Sequence, residues 1–561
     1  METFVLKKVV KLNSNEKTCH LASPSRRSLN GGCGEHSDPA SRSAEIELGS
    51  ALNGPIHGEW ARYIRAIKQA ILTSAAAVIA LSGAQAADLP VKAKPIEYVK
   101  ACSLYGAGFY YIPGTDTCIR LGGYLRFDTT LLPNGLTGAG GANNRLSHYY
   151  SMRSREALDI DTRTATEYGV VRTFFEGLLQ WTSGGYAGAG AGLSGGATTY
   201  SGDSVGGGYL QVYLAFIQFA GFTFGQTQSQ FNTPWTEYPA NIFELPGSGG
   251  GDAVNQFTYT ADFGQGITAS FSAQDQVARY TTSIWNVSAA TPAGLATGAY
   301  GASDIGGSRA PDLVAMLRVD QAWGLFQASV AAHDNHAAYY GATETTGHPG
   351  DKWGWAGQLA LSIKNLPTGP GDTINVSGMY ANGASRYGFN SYMPTTYARY
   401  GSTGAAGAYQ SLGIGGVSDS VFVAGAGQEL TTVYGFNGGY THNWDPHWAT
   451  SLYGAWAAVR YDSRAKGYIC GAFVAGLALS SGVAGCNPDF NYAVVGARAI
   501  WTPVKNLSFT AELAYNMLDQ KYAGGSTVTL PTQSGIAKPG AAYELKDQGA
   551  VNIILRAQRN W

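Results

Sequence analysis

The chain alternates. In CIRLGGYLRFDTT, starting at Cys118, the side chains of Ile119, Leu121, Leu125 and Phe127 fall on one face of an extended backbone, and Arg120, Tyr124, Arg126 and Asp128 fall on the other. A period of two marks a β-strand, because successive side chains point to opposite faces. The pattern recurs. In SMRSREALDIDTRT, Met152, Leu158 and Ile160 oppose Arg153, Arg155, Asp159, Asp161 and Arg163. In VVRTFFEGLLQW, Val171, Phe175, Leu179 and Trp181 oppose Arg172, Glu176 and Gln180. Sixteen such segments follow one another, near 118–131, 152–163, 169–182, 208–220, 222–229, 255–263, 266–276, 311–320, 324–334, 354–364, 373–382, 431–442, 448–460, 490–501, 506–517 and 548–561.

What joins the segments narrows the fold further. Tight breaks such as TATEY, DFGQG, DQAWG, NWDPHW and TPVKN alternate with long ones, including 183–207, 230–254, 277–310, 383–430 and 518–547, which are rich in Gly, Ser and Ala. Short turns on one rim and long loops on the other are the pattern of an up-and-down transmembrane barrel with an even strand count. A soluble sandwich also alternates, but its polar face would meet bulk water. Here arginine and acid share the polar face strand after strand, as suits a water-filled lumen. The final segment, AVNIILRAQRNW, places Val551, Ile553, Leu555, Ala557 and Trp561 opposite Asn552, Arg556, Gln558 and Asn560. A barrel leaves no open edge in lipid, so this strand is expected to pair with the first.

Composition agrees. Charged residues are only 13%, with 76 glycines and 34 tyrosines, whereas soluble domains carry about 25% charged residues. The formal net charge of -1 supplies no basic face for nucleic acid. No apolar run reaches the length of a membrane helix. The longest, AILTSAAAVIALSGAQA over residues 70–86, follows Arg62, Arg65 and Lys68 and ends in Ala84-Gln85-Ala86. A basic start, an apolar stretch and an A-x-A site predict a signal peptide over 61–86, cleaved after Ala86; the alternative is a buried alanine-rich helix. Residues 1–60 are then an extension upstream of the true start, 87–117 a segment before the barrel, and 118–561 the barrel itself.

Export governs the cysteines. Cys19 and Cys33 precede the cleavage site; Cys102, Cys118, Cys470 and Cys486 remain, in two pairs each sixteen residues apart. In an oxidising envelope the simplest arrangement is two local disulfides, 102–118 and 470–486. No zinc-type spacing occurs, and no cofactor is expected. Gly190, Gly192 and Gly195 fit G-x-G-x-x-G, but within loop sequence and with no helix after them, so the match carries no nucleotide site. His333, His336, His442 and His447 read as rim or loop residues.

The stretch EYVKACSLYGAGFYYIPGTDTCIRLGGYLRFD, with LDIDTRTATEYGVVRTFFE, FIQFAGFTFGQTQSQF and the closing LRAQRNW, resembles the general porins of rhizobia-type alphaproteobacteria. The resemblance covers strands one to five and the last. It implies a sixteen-stranded outer-membrane barrel, a homotrimer set among outer-membrane lipid and lipopolysaccharide, that passes ions and small hydrophilic solutes passively and without enzymatic activity. It also implies that the third external loop, residues 230–254, folds into the barrel and sets the constriction. Glu237, Glu244 and Asp252 of that loop would then face a basic wall of Arg120, Arg126, Arg153, Arg155, Arg163 and Arg172. The plainer alternative is that these arginines only pair with Asp128, Asp159, Asp161 and Glu176 to stabilise the wall. A gated or substrate-specific channel is the rival function, with a barrel enzyme or adhesin behind it.

Overall fold

A computed structural model of the chain describes residues 100–132, 141–183, 209–233, 245–247, 253–277, 281–391 and 393–561. The expected extension 1–60 and signal peptide 61–86 lie outside the described residues, as do Glu237, Glu244 and Asp252.

Sixteen antiparallel strands close into a barrel. They are β1 Thr117–Leu131, β2 Tyr150–Thr166, β3 Gly169–Ser183, β4 Tyr209–Phe219, β5 Phe222–Gln228, β6 Ala253–Asp262, β7 Ile267–Gln274 and β8 Asp312–Gln321. The circuit continues through β9 Gly324–Asn335, β10 Lys352–Lys364, β11 Thr373–Asn382, β12 Thr432–Asn443, β13 Trp448–Arg460, β14 Phe490–Val504, β15 Leu507–Gln520 and β16 Gln548–Asn560. Each pairs with its sequence neighbours, and β16 returns to β1 through pairs from Tyr124↔Asn560 to Leu131↔Ile553. All sixteen expected segments are strands, because a buried lumen face and an apolar outer face leave the period of two in plain view.

The two faces separate as the alternation requires. Leu125, on the outer face of β1, is 56% exposed, while Asp128, on the inner face, is 0% exposed. Outward side chains that meet lipid make such a surface apolar. At Gly123 the backbone takes φ +150°, and a side chain there would collide with the Ala157 carbonyl of β2; only glycine lets the strands approach so closely.

Cys102 and Cys118 are joined, as are Cys470 and Cys486. The first bond ties the segment before the barrel to β1, where Tyr110 and Tyr111 pair with Ile119 and Cys118. The second ties the helix Ser463–Leu477 to the rest of the β13–β14 connection. The helix lies between two wall strands, and its Asp462 cap, accepting from Ala465 N at 2.7 Å, starts it.

On the short-turn rim, Asp372 anchors the β10–β11 turn. Its carboxylate accepts from Thr368 Oγ1 at 2.6 Å, Tyr440 OH at 2.9 Å and Asn443 N at 2.8 Å, with His442 Nδ1 at 2.7 Å. Burial alone would raise this carboxyl, but these partners hold it well below the usual carboxylate range. A depressed folded pKa contributes stability above the unfolded pKa and loses it as pH falls. Asp372→Asn should therefore lower the barrel's unfolding temperature at neutral pH, with the gap narrowing below about pH 4. Unfolding followed by gel mobility across pH checks this; a gap that widens in acid would refute it.

Candidate channel lumen

The inner face of β1–β3 carries two tiers of arginine. In the tier nearer the long-connection rim, Asp128 is the hub: Arg153 Nη2 lies 2.5 Å from its Oδ2, and Arg556 Nε lies 2.6 Å from its Oδ1. Both partners sit directly across from Asp128, on β2 and β16. Arg126 donates to Gln558 Oε1 at 2.8 Å and stacks 4.2 Å from the Tyr124 ring. Arg155, opposite Arg126 in the ladder, donates through Nε to Gln180 Oε1 at 2.8 Å. In the lower tier, Asp161 gathers Arg163 at 3.0 Å, Arg172 at 3.1 Å and Arg120 at 3.6 Å. Arg120 and Arg163 also stack on Phe109 of the segment before the barrel.

All six arginines singled out in the sequence thus lie on one stretch of inner wall. Arg120, Arg153, Arg163 and Arg172 make the plain wall-stabilising ion pairs. Arg556 joins them, although it was read only as an inward residue of the last strand; barrel closure, itself expected, brings it beside Asp128. On β1–β3 and β16, seven inward arginines (Arg120, Arg126, Arg153, Arg155, Arg163, Arg172 and Arg556) face four carboxylates (Asp128, Asp159, Asp161 and Glu176). Like charges opposed across a ladder repel; Arg163 facing Arg172 is bridged by Asp161, which binds both, and Arg126 facing Arg155 turns apart onto Gln558 and Gln180.

The described ends of the β5–β6 connection enter the lumen on the opposite side. Gln327 Nε2 of β9 donates to the Asn232 carbonyl at 2.8 Å, and Gln358 Nε2 of β10 to that of Phe231 at 3.0 Å. The Gly247 N–H donates to Gly388 O at 2.9 Å. β10 lies eight strands from β2, half-way round the sixteen.

The long connections do more than arch outward. Two small sheets lie at that rim: Thr396–Gly401, Gln410–Gly416, Ala541–Leu545 and Thr527–Leu530 form one, and Ala302–Ser303, Ser283–Asn286, Ser418–Phe422 and Glu429–Leu430 the other. The 396–416 hairpin packs on the inner face of β14–β16. Tyr397 lies 5.0 Å from Tyr492 and 5.7 Å from Phe490, and Ile414 N donates to Gln520 Oε1 at 3.1 Å. A buried polar cluster fastens the rest of the β11–β12 connection. His333 Nδ1 of β9 is 2.8 Å from Asp312 Oδ1 of β8, and its Nε2 is 3.6 Å from Asp419 Oδ2. Thr282 N and Ser385 N donate to Asp419 at 2.6 and 2.7 Å, and Tyr387 OH to Asp312 at 2.6 Å. Burial pushes the Asp419 carboxyl up, but His333 and these N–H groups hold it below its ordinary value. His333 is therefore a fully buried strand residue rather than a rim one, whereas His336 pairs with Asp351 at 2.7 Å in the β9–β10 connection.

The sequence model of the family described as the porin subfamily matches residues 88–554. The chain belongs to the porin subfamily. Porin Omp2b of Brucella canis is 35% identical over 206 residues, covering 36% of this chain and 52% of the relative; its Brucella melitensis counterpart is 34% identical over the same share. This porin thus matches about half the length of those curated relatives. In fold it resembles the outer membrane channel DcaP of Acinetobacter baumannii, with a TM-score of 0.50 and 17% identity, over 80% of this chain and 99% of that one. The porin is a multi-pass β-barrel of the outer membrane, so the short-turn rim is periplasmic and the long connections are external.

Proposed function

We propose that this porin is a passive channel for ions and small hydrophilic solutes, that they pass along the wall of β1–β3 and β16, and that anions are favoured. The observation that carries the sign is the excess of inward arginine over carboxylate on that wall. Charge rings at a narrow waist bias conduction. The waist lies between those arginines and the 230–254 connection, whose described ends anchor half-way round the barrel; Glu237, Glu244 and Asp252 would oppose the arginines there. The folded external connections also favour a narrower, more discriminating pore than open loops would give.

The working unit is a homotrimer in this reading. Glu156 shares the outward face of β2 with Met152 and Leu158, and it lies across from Leu125 and Leu179. A carboxylate facing lipid is costly, and a neighbouring protomer would cover it. Residues 61–86 direct export and leave the mature chain.

Planar-bilayer recording tests these points together. Current steps should arrive in groups of three, and under a salt gradient the reversal potential should have the sign of anion preference. Arg120→Ala with Arg126→Ala should move that potential towards cations. Absence of any conductance would sink the channel reading, and an unmoved potential would remove the arginine wall from selectivity.

A further inference from the structure

The closing seam of the barrel is shorter than the strand it closes. β16 runs out beside Gly123 of β1, where Trp561 N donates to Gly123 O at 3.1 Å, and the first residues of β1 lie beyond its reach. The segment before the barrel takes that place, with Tyr110 and Tyr111 pairing antiparallel to Ile119 and Cys118. An uncovered strand edge is thereby avoided. From Tyr110 back to Phe109 the segment passes to the inner side of the wall. The Phe109 ring is buried and lies 5.1 Å from the guanidinium of Arg120 and 4.8 Å from that of Arg163, both inward residues. Tyr105 meets this ring edge-on at 5.9 Å and lies 5.8 Å from Arg163.

The loop that carries Phe109 is fastened along its length. The Cys102–Cys118 bond joins it to β1. Cys102 N donates to Phe109 O at 2.8 Å, Tyr111 N to Lys100 O at 2.9 Å and Ile112 N to Thr117 O at 2.9 Å. Gly108 turns with φ +87°, a conformation glycine adopts freely, and a side chain there would meet the Arg120 stem at 3.6 Å. Cys102, Phe109 and Cys118 form one buried cluster, so the ring and the bond are packed as a unit.

The arginines so held stand at the periplasmic end of the path. Arg163 and Arg172 are the last charged ladder pair before the β2–β3 turn, and Asp159 opposes Glu176 further in. Asp161 is buried behind the tier, whereas the Arg120 side chain is 45% exposed. Arg172 rests on rings of the wall itself, 5.2 Å from Phe174 and 5.4 Å from Phe216. Arg120 and Arg163 rest on rings that the loop brings to them. A guanidinium lying on a ring is held in one place.

We propose that Phe109 is a positioning residue for ion selection: it holds Arg120 and Arg163 at the periplasmic mouth, and the Cys102–Cys118 bond holds Phe109 there. The inference rests on the channel reading above and extends it from the waist to the mouth. Fixed charge acts over about 30 Å in 0.01 M salt but only about 3 Å in 1 M salt. A salt gradient therefore feels this tier when its dilute side is periplasmic and scarcely feels it when the gradient is reversed.

Reversal potentials of single full-length channels, recorded with the gradient run in each direction, test this. Phe109→Leu keeps apolar bulk and removes the ring face. It should lower the anion-to-cation permeability ratio about twofold in one direction and leave the other direction unchanged. Phe109→Tyr keeps the ring and should behave as the parent does. Cys102→Ser with Cys118→Ser frees the loop while keeping Phe109, and should give the same one-sided loss. Unfolding of each variant is followed by gel mobility alongside. A lowered unfolding temperature with unchanged potentials would show that the loop only braces the seam and would overturn the proposal, as would a fall of equal size in both directions. A conducting parent with insensitive variants refutes only this role of Phe109, whereas a parent that does not conduct refutes the channel reading beneath it.

Discussion

Deleting Thr396–Gly416 should raise single-channel conductance severalfold. The ends of this hairpin are ladder partners, Thr396 opposite Gly416, so a short Gly-Ser link can bridge the cut without pulling on the wall. The hairpin lies against Tyr492, Phe490, Leu518 and Gln548, inward residues of β14–β16, and therefore takes up lumen cross-section that water and ions would otherwise use. Tyr461 OH, donating to Gly416 O at 2.7 Å, holds its base from the β13–β14 connection. Removal wets those rings at some cost in stability, so the gentler variant Asp419→Ala provides a second reading. It frees the β11–β12 connection from Thr282 and from His333 of β9 without deleting anything, and it should give noisier, larger openings. If a folded deletion conducts like the parent, the hairpin does not obstruct the path.

The second large effect belongs to Asp128. This carboxylate stands between Arg153 and Arg556 across the seam where the first and last strands meet, with Arg126 two residues before it on the same face. Asp128→Asn keeps the shape and removes the charge, leaving three guanidinium groups to face one another. Breaking a buried ion pair by deleting one partner costs about 3 kcal/mol or more. The expected result is a clear fall in the temperature at which the barrel loses its compact gel mobility, together with a shift of reversal potential towards anions. Asp128→Glu should recover part of both. An unchanged unfolding temperature would show that the seam does not depend on this charge.

These two sites also show what a sequence discloses. Most wall strands were legible residue by residue because a strand with lipid on one side and water on the other must alternate; YLQVYLAFIQF, apolar on both faces, showed a strand but not its register. Arg120 and Arg126 received their inward direction from that rule alone. The external roof was not legible, for the complementary reason. The stretches Thr396–Gly401 and Gln410–Gly416 are covered on both faces, one by the wall and one by neighbouring connections, so polar and apolar residues have no cause to alternate. SLGIGG there looks like slack loop; in fact Gly413 and Gly415 sit flush on Leu518, Gln548 and Phe490, where added side chains would crowd the wall. Glycine signalled close approach, and composition alone does not distinguish that from freedom. The Asp312–His333–Asp419 cluster was hidden for another reason: its members come from two strands and a connection, and no spacing in the chain links them.

The roof also decides what the cell shows to its surroundings. Tyr397, Tyr400, Leu412 and Ile414 are buried, while Tyr409 near the hairpin tip is 53% exposed. An antibody or protease arriving from outside meets the tip and the Arg464 face of the helix, and finds the flanks of the hairpin already engaged. A linear peptide copied from 396–416 would display rings that the living surface conceals. Antisera raised against it should recognise denatured protein and pass over intact bacteria, whereas a target built around the disulfide-tied 461–489 segment would keep the shape the envelope presents.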